Sequence, residues 1–377
     1  MEHHSLTADQ LDALASGAGS VSAIEELNAS RISLHLLLLK HLSDEWSGDR
    51  APLNAAIAVL AETQERRPDV YRELLGDPLV GAWLARAGRV DPLEVGNLAA
   101  AAAMRAGLSC RVRGAAYDGR LVVPTLGSLP ASVPVTIIVE DGDTSPADDP
   151  SWLPLRVLRA GPLSVRLDDA SPYRDGYHAA PATRLSDAEV TEWQDLFAEA
   201  SNLIEEYMPE RAAEMAVGLR VLVPLVDLGD GSSRSGTARV SVGAMGLTRP
   251  RSPADFAVTL VHEFEHSKLS GILDLIPLYR PNGTELHHAP WRKDPRPTSG
   301  LIQGVVAFLR VAETWHKFRA IPGLTETATT EFAAIREQVR VGYRSLAASE
   351  ELTEAGVRFV TAMRPTLDRL LAEPLNV

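Results

Sequence analysis

Leu260-Val261-His262-Glu263-Phe264-Glu265-His266-Ser267-Lys268-Leu269 is the stretch on which the reading of this chain turns. His262 and His266 are four residues apart. On an α-helix that spacing puts both imidazoles on one face, one turn apart, where they can share a metal ion. Glu263 stands beside the first histidine, within reach of a metal-bound water, as an acid, a base or an orienting group. The flanking Phe256, Leu260, Val261, Leu269, Ile272, Leu273 and Leu275 mark a buried helix, opened by Ser252 and Pro253. The plain alternative is an exposed His/Glu helix face that binds no metal.

Upstream of the motif, Arg220 to Val226 and Thr237 to Ala244 read as two strands joined by a Gly/Ser/Asp turn. The edge of the second is where a bound peptide is expected to add as a strand. Ser186, with Glu189 three residues on, has the form of a capping box and opens a helix toward Met208. Downstream, Ala289-Pro290-Trp291-Arg292-Lys293-Asp294-Pro295-Arg296-Pro297 is a proline-stiffened loop, followed by a helix from Ser299 to about Phe318. Arg292 and Arg296 on that loop point to a carboxylate ligand, because a guanidinium fork matches a carboxylate at two points. Glu326 to Ala347 and Glu351 to Leu371 read as two final packing helices.

The first hundred residues read as helices, and from Leu108 to Leu167 the apolar period changes to two. The expected class is α+β. It comprises a helical region over 1–107, a small, mainly antiparallel β unit over 108–180, and a zincin-like catalytic domain with a helical C-terminus over 181–377.

The 377 residues carry a net charge of −13, which argues against a nucleic-acid partner. Cys110 is the single cysteine, so intrachain disulfides and multi-cysteine zinc sites are excluded; it reads as a small buried residue. The opening Met1-Glu2-His3-His4 lacks the features of a signal peptide, and the longest apolar burst, Leu36 to Leu39, is too short to span a bilayer. The expectation is a cytoplasmic protein without a membrane partner.

HExxH is best known from zinc peptidases, where the glutamate is general base. The extended HExxHxxGxxH pattern is absent, because position 269 is Leu and position 272 is Ile. No Asn-Glu pair follows on the next helix. The 260–269 stretch, Asp274-Leu275-Ile276-Pro277-Leu278-Tyr279, and Trp291-Arg292 through Pro297 to Gly304 instead resemble the HExxH-motif peptide-modification proteins. Those proteins belong to clusters that make ribosomally synthesised, post-translationally modified peptides. Leu6 to Leu11, Ala15 to Gly19 and Glu210 to Glu214 extend the resemblance over most of the chain. It implies an iron(II)/α-ketoglutarate-dependent oxygenase that hydroxylates a precursor peptide, often at Cβ. A radical SAM maturase is a further partner it suggests.

Under that resemblance His262 and His266 are iron ligands, and Arg292 and Arg296 hold the α-ketoglutarate carboxylate. Gln303 is favoured as third ligand over Glu313, with Asp294 and His288 behind; an amide departs from the usual two-His-one-carboxylate set. Two alternatives stay open. One is a zinc metallopeptidase that trims a precursor, and the other is a non-catalytic protein that presents a precursor to another enzyme.

Overall fold

The structure is a computed structural model that describes residues 3–86, 91–132, 135–142 and 149–375. It is α+β. The helices are α1 (Ala8–Ser16), α2 (Val21–Glu45), α3 (Arg50–Arg66), α4 (Pro68–Leu75), α5 (Pro78–Leu84), α6 (Glu94–Ala106), α7 (Asp187–Tyr207), α8 (Pro209–Gly218), α9 (Pro253–Leu275), α10 (Thr298–Phe318), α11 (Thr325–Ala347) and α12 (Glu354–Ala372). No helix among the described residues is long and apolar enough to cross a membrane. The strands are β1 (Cys110–Gly114), β2 (Ala116–Tyr117), β3 (Arg120–Val123), β4 (Gly127–Pro130), β5 (Val135–Val139), β6 (Leu153–Pro154), β7 (Arg156–Ala160), β8 (Leu163–Leu167), β9 (Val221–Pro224), β10 (Ser235–Gly236), β11 (Ala244–Leu247), β12 (Leu286–His287) and β13 (Arg296–Pro297).

The central sheet has the order β10-β11-β9-β8-β7. β8, β9 and β11 run parallel, while β7 and β10 are antiparallel edges. All four residues of β9 and of β11 are buried, as expected for parallel strands covered on both faces. On one face lie α7, α8 and α9, within a core that also takes in α1, the start of α2, α10, α11 and α12. A smaller core of Leu79, Tyr177, Val221, Val223, Leu225 and Ala244 covers the other face.

Several expectations are corrected here. The segment 220–244 is not a hairpin: β9 and β11 are parallel neighbours, and the chain between them crosses over through β10. Thr237 to Ala244 is not one strand, because a 3-10 turn at Arg239–Ser241 interrupts it. The free edge beside the motif is β10. The β unit expected over 108–180 is divided as well. β7 and β8 belong to the central sheet, whereas β1 pairs β5 and β2-β3-β4-β6 form another sheet. The boundary at 107/108 cuts through one core that joins α3, α4 and α6 to β1, β3 and β5.

α9 is locked from behind by charge. Arg211 of α8 pairs with Glu214 (2.6 Å) and Glu265 (2.5 Å), and Lys268 donates to Glu214 (3.1 Å) and Glu265 (2.9 Å). All four side chains are buried. Burial alone would raise the Glu214 carboxyl. Lys268, Arg211 and the Ser20 N–H more than offset that and hold it below its ordinary range. Two cations facing two anions leave the group neutral, which is how buried charges of this density are tolerated. Lys268→Met leaves two carboxylates against one guanidinium. It is expected to cost about 3–5 kcal/mol, measured as a lowered urea midpoint.

Candidate metal centre

Ser252 caps α9 by accepting from the Asp255 N–H, and Pro253 takes the first turn. The helix then presents its 262/266 face to a cleft of about 530 Å³. The two imidazoles meet there with Nε2 atoms 3.1 Å apart and rings nearly perpendicular. Burial and the neighbouring His266 push the His262 imidazole down to about 3. It is therefore neutral, with a lone pair available, throughout the physiological range.

His266 is oriented by α10, through a 2.8 Å hydrogen bond between its Nδ1 and Gln303 Oε1. An N–H at Nδ1 fixes the tautomer and leaves Nε2 to face His262. Gln303 thus stands behind the ring as an orienting acceptor. The geometry differs from the third-ligand role expected of it, since its oxygen reaches the Nε2 side only by leaving Nδ1. Glu313 is further removed. It pairs with Arg310 and Arg369, away from the cleft. Asp294 and His288 are exposed, and neither lines the cleft. Among the described residues no group of three His, Cys, Asp or Glu side chains gathers as a metal site. His262 and His266 are the pair whose ring nitrogens meet in the cleft.

Glu263 is buried, and its two oxygens differ. Oε1 accepts a 2.7 Å hydrogen bond from Ser235 Oγ on β10 and lies 4.0 Å from His262 Nε2. Oε2 has no partner among the described residues. Burial raises the carboxyl, opposed by His266, the Ser235 hydrogen bond and His178. Oε2 is closed off from solvent, so Oε1 is the oxygen turned toward Ser235 and His262.

His178 is the residue that sequence reasoning missed. It lines the same cleft and has a left-handed backbone, φ 61°. Its neighbour Tyr177 is buried flat against the paired glycines Gly236 and Gly246. A Cβ at Gly246 would stand 2.6 Å from Tyr177, so the glycine is what allows this segment onto the sheet. An isolated histidine in a polar, proline-bearing stretch gives no periodic signal; only the fold brings it to the motif.

Arg292 and Arg296 both line the cleft, with Trp291, Gly300 and Phe308. Arg296 pairs with Asp294 at 3.2 Å. The Arg292 guanidinium has no hydrogen bond or ion pair among the described residues, and no side chain caps the N-terminus of α10 beside it. No protein-family model matches this chain, and no curated protein is significantly similar to it.

Two outcomes follow. The His262 ring is expected to show no titration above about pH 4 in ring-proton NMR of the metal-free protein. Because its folded value is depressed, the unfolded chain takes up the proton first. This site's contribution to stability is then lost as pH falls below about 6.5. His178→Gly relieves the left-handed strain and is expected to stabilise the fold by about 1 kcal/mol, seen as a raised thermal midpoint.

Proposed function

We propose that the cleft is the mononuclear centre of an iron(II)/α-ketoglutarate-dependent oxygenase that hydroxylates a side chain of a ribosomally made precursor peptide, with Cβ the expected position. A cytoplasmic setting belongs to the same reading. The observation that carries it is the meeting, in one cleft, of two convergent imidazoles and an arginine with no hydrogen bond or ion pair among the described residues. His262 and His266 would hold the metal, with Gln303 fixing the second ring. Arg292, helped by Arg296 and the uncapped start of α10, would take a carboxylate of the co-substrate.

The two histidines fit two of the three positions of the usual two-His-one-carboxylate set, and the rest of the coordination sphere stays open to a chelating co-substrate. When bound, iron(II) would supply activation of dioxygen, the oxidant, with α-ketoglutarate as the two-electron co-reductant that is oxidised to succinate and CO2. The protein's part is to orient and to exclude water. Glu263 Oε1, 4.0 Å from His262 Nε2, would accept a hydrogen bond from a bound water, and Ser235 holds that carboxylate in place. The edge strand β10, antiparallel beside the motif helix, supports a zincin-like arrangement with an extended peptide along the cleft.

A zinc peptidase is the second reading, favoured by Glu263 Oε1 standing 4.0 Å from His262 Nε2. Anaerobic loading with iron(II), then α-ketoglutarate, separates the two. A visible charge-transfer band that requires both His262 and Arg292 is expected. Absence of the band, together with zinc that survives purification, would put the peptidase first. Glu263→Ala then abolishes peptide cleavage in the peptidase, whereas the oxygenase retains the band.

A further inference from the structure

The Trp291 indole is gripped between α10 and α11 at two glycines. A Cβ built on Gly304 would lie 2.3 Å from its Cζ2, and one on Gly342 would lie 2.7 Å from its Cη2. Both glycines are interior to long helices, where glycine is the less stable choice than alanine. The two helices are therefore notched to admit one ring from a loop. On its open side the indole packs on Phe308, ring centroids 4.9 Å apart. Phe308 in turn packs edge-on to His262 at 5.0 Å. The backbone turns directly beyond the ring, with the Arg292 N–H donating to the buried Ala289 carbonyl at 2.9 Å.

We propose that Trp291 is a positioning residue. Its seat in the Gly304/Gly342 notch fixes the loop, so that the exposed Arg292 guanidinium stands over the cleft and meets a dicarboxylate held beside His262 and His266. The inference rests on the proposed co-substrate reading, since it is that reading which gives Arg292 its ligand. Among the described residues no hydrogen bond or ion pair holds the Arg292 guanidinium, and only the charge of Asp294 acts on it. A guanidinium on a loop without an anchor would spend its binding strength on ordering itself. The notch removes that cost in advance. It also ties the carboxylate end of the cleft, through Phe308, to the ring of the first metal-binding histidine.

The test uses the whole 377-residue chain and two substitutions at the seat of the indole, Gly304→Ala and Gly342→Ala. Each adds a methyl where the indole sits. In the anaerobic iron(II)-loaded protein, each is expected to raise the α-ketoglutarate Kd about tenfold, while zinc affinity of the metal-free protein stays unchanged. Trypsin cleavage after Arg292 is expected to accelerate by a similar factor, because the loop opens more often. Adding Trp291→Phe to Gly304→Ala removes the indole atoms that the new methyl strikes and is expected to recover both readouts in part. Wild-type Kd and wild-type cleavage in both alanine variants would overturn the proposal. So would a parallel loss of zinc affinity, which would mean general damage. If the wild type itself fails to bind α-ketoglutarate, the co-substrate reading has failed, and with it the role given to Arg292. The cleavage rates and their rescue by Trp291→Phe then still decide whether the notch anchors the loop.

Discussion

The buried quartet of Arg211, Glu214, Glu265 and Lys268 sets the rotation of α9, and with it everything the cleft can do. Glu265 and Lys268 lie on the motif helix itself, so its back face is charged and its partners are fixed in space. An apolar back face would let the helix slide by small steps at little cost. Paired charges at 2.5–3.1 Å do not, because every displacement exposes an uncompensated ion to a dry interior. The Ser20 N–H on Glu214 brings the start of α2 into the same lock. The opposite face then points where it must, with His262 and His266 toward Gln303, Ser235 and the cleft.

The cleft walls share a second device, close approach through glycine. Gly236 and Gly246, paired across β10 and β11, let the Tyr177 segment lie on the sheet and deliver His178. Gly304 and Gly342 do the same for Trp291 on the helical side. In both cases a large aromatic ring is the anchor, and the residue that follows it faces the cleft. Precision at the site is thus built from volume complementarity at some distance from the chemistry.

Much of the local architecture could be read from the residues. Ser186 with Glu189, Ser252 with Pro253, and the 3.6-residue apolar spacing of the terminal helices each state a local preference that packing respects. The motif histidines were legible for the same reason, since their spacing is a helix property. Strand partners were not. β9 and β11 are short apolar runs separated by a glycine-rich turn, a pattern equally consistent with a hairpin and with the parallel crossover observed. β7 and β8 look like more of the preceding β unit, yet their buried faces are completed by α7 and β9. Glu313 shows the limit most clearly. Its place on the right helix made it a plausible ligand, but three turns of helix carry it to Arg310 and Arg369 instead. Spacing along a helix fixes which face a residue shares, and only tertiary contacts fix what that face meets.

The two ends of the chain share one core. α1 packs on α12, Asp12 pairs with Arg358, Thr366 donates to the Ser16 carbonyl, and Arg310 caps Ala15 from α10. Asp12 and Arg358 are separated by 346 residues of chain, and Ser16 and Thr366 by 350. Contacts of such sequence separation are the slow ones to form, because the entropy of closing the whole intervening loop is met before they stabilise anything. The apolar stripe of α1 therefore stays uncovered until α12 has docked, a late and non-local step in the assembly of the core.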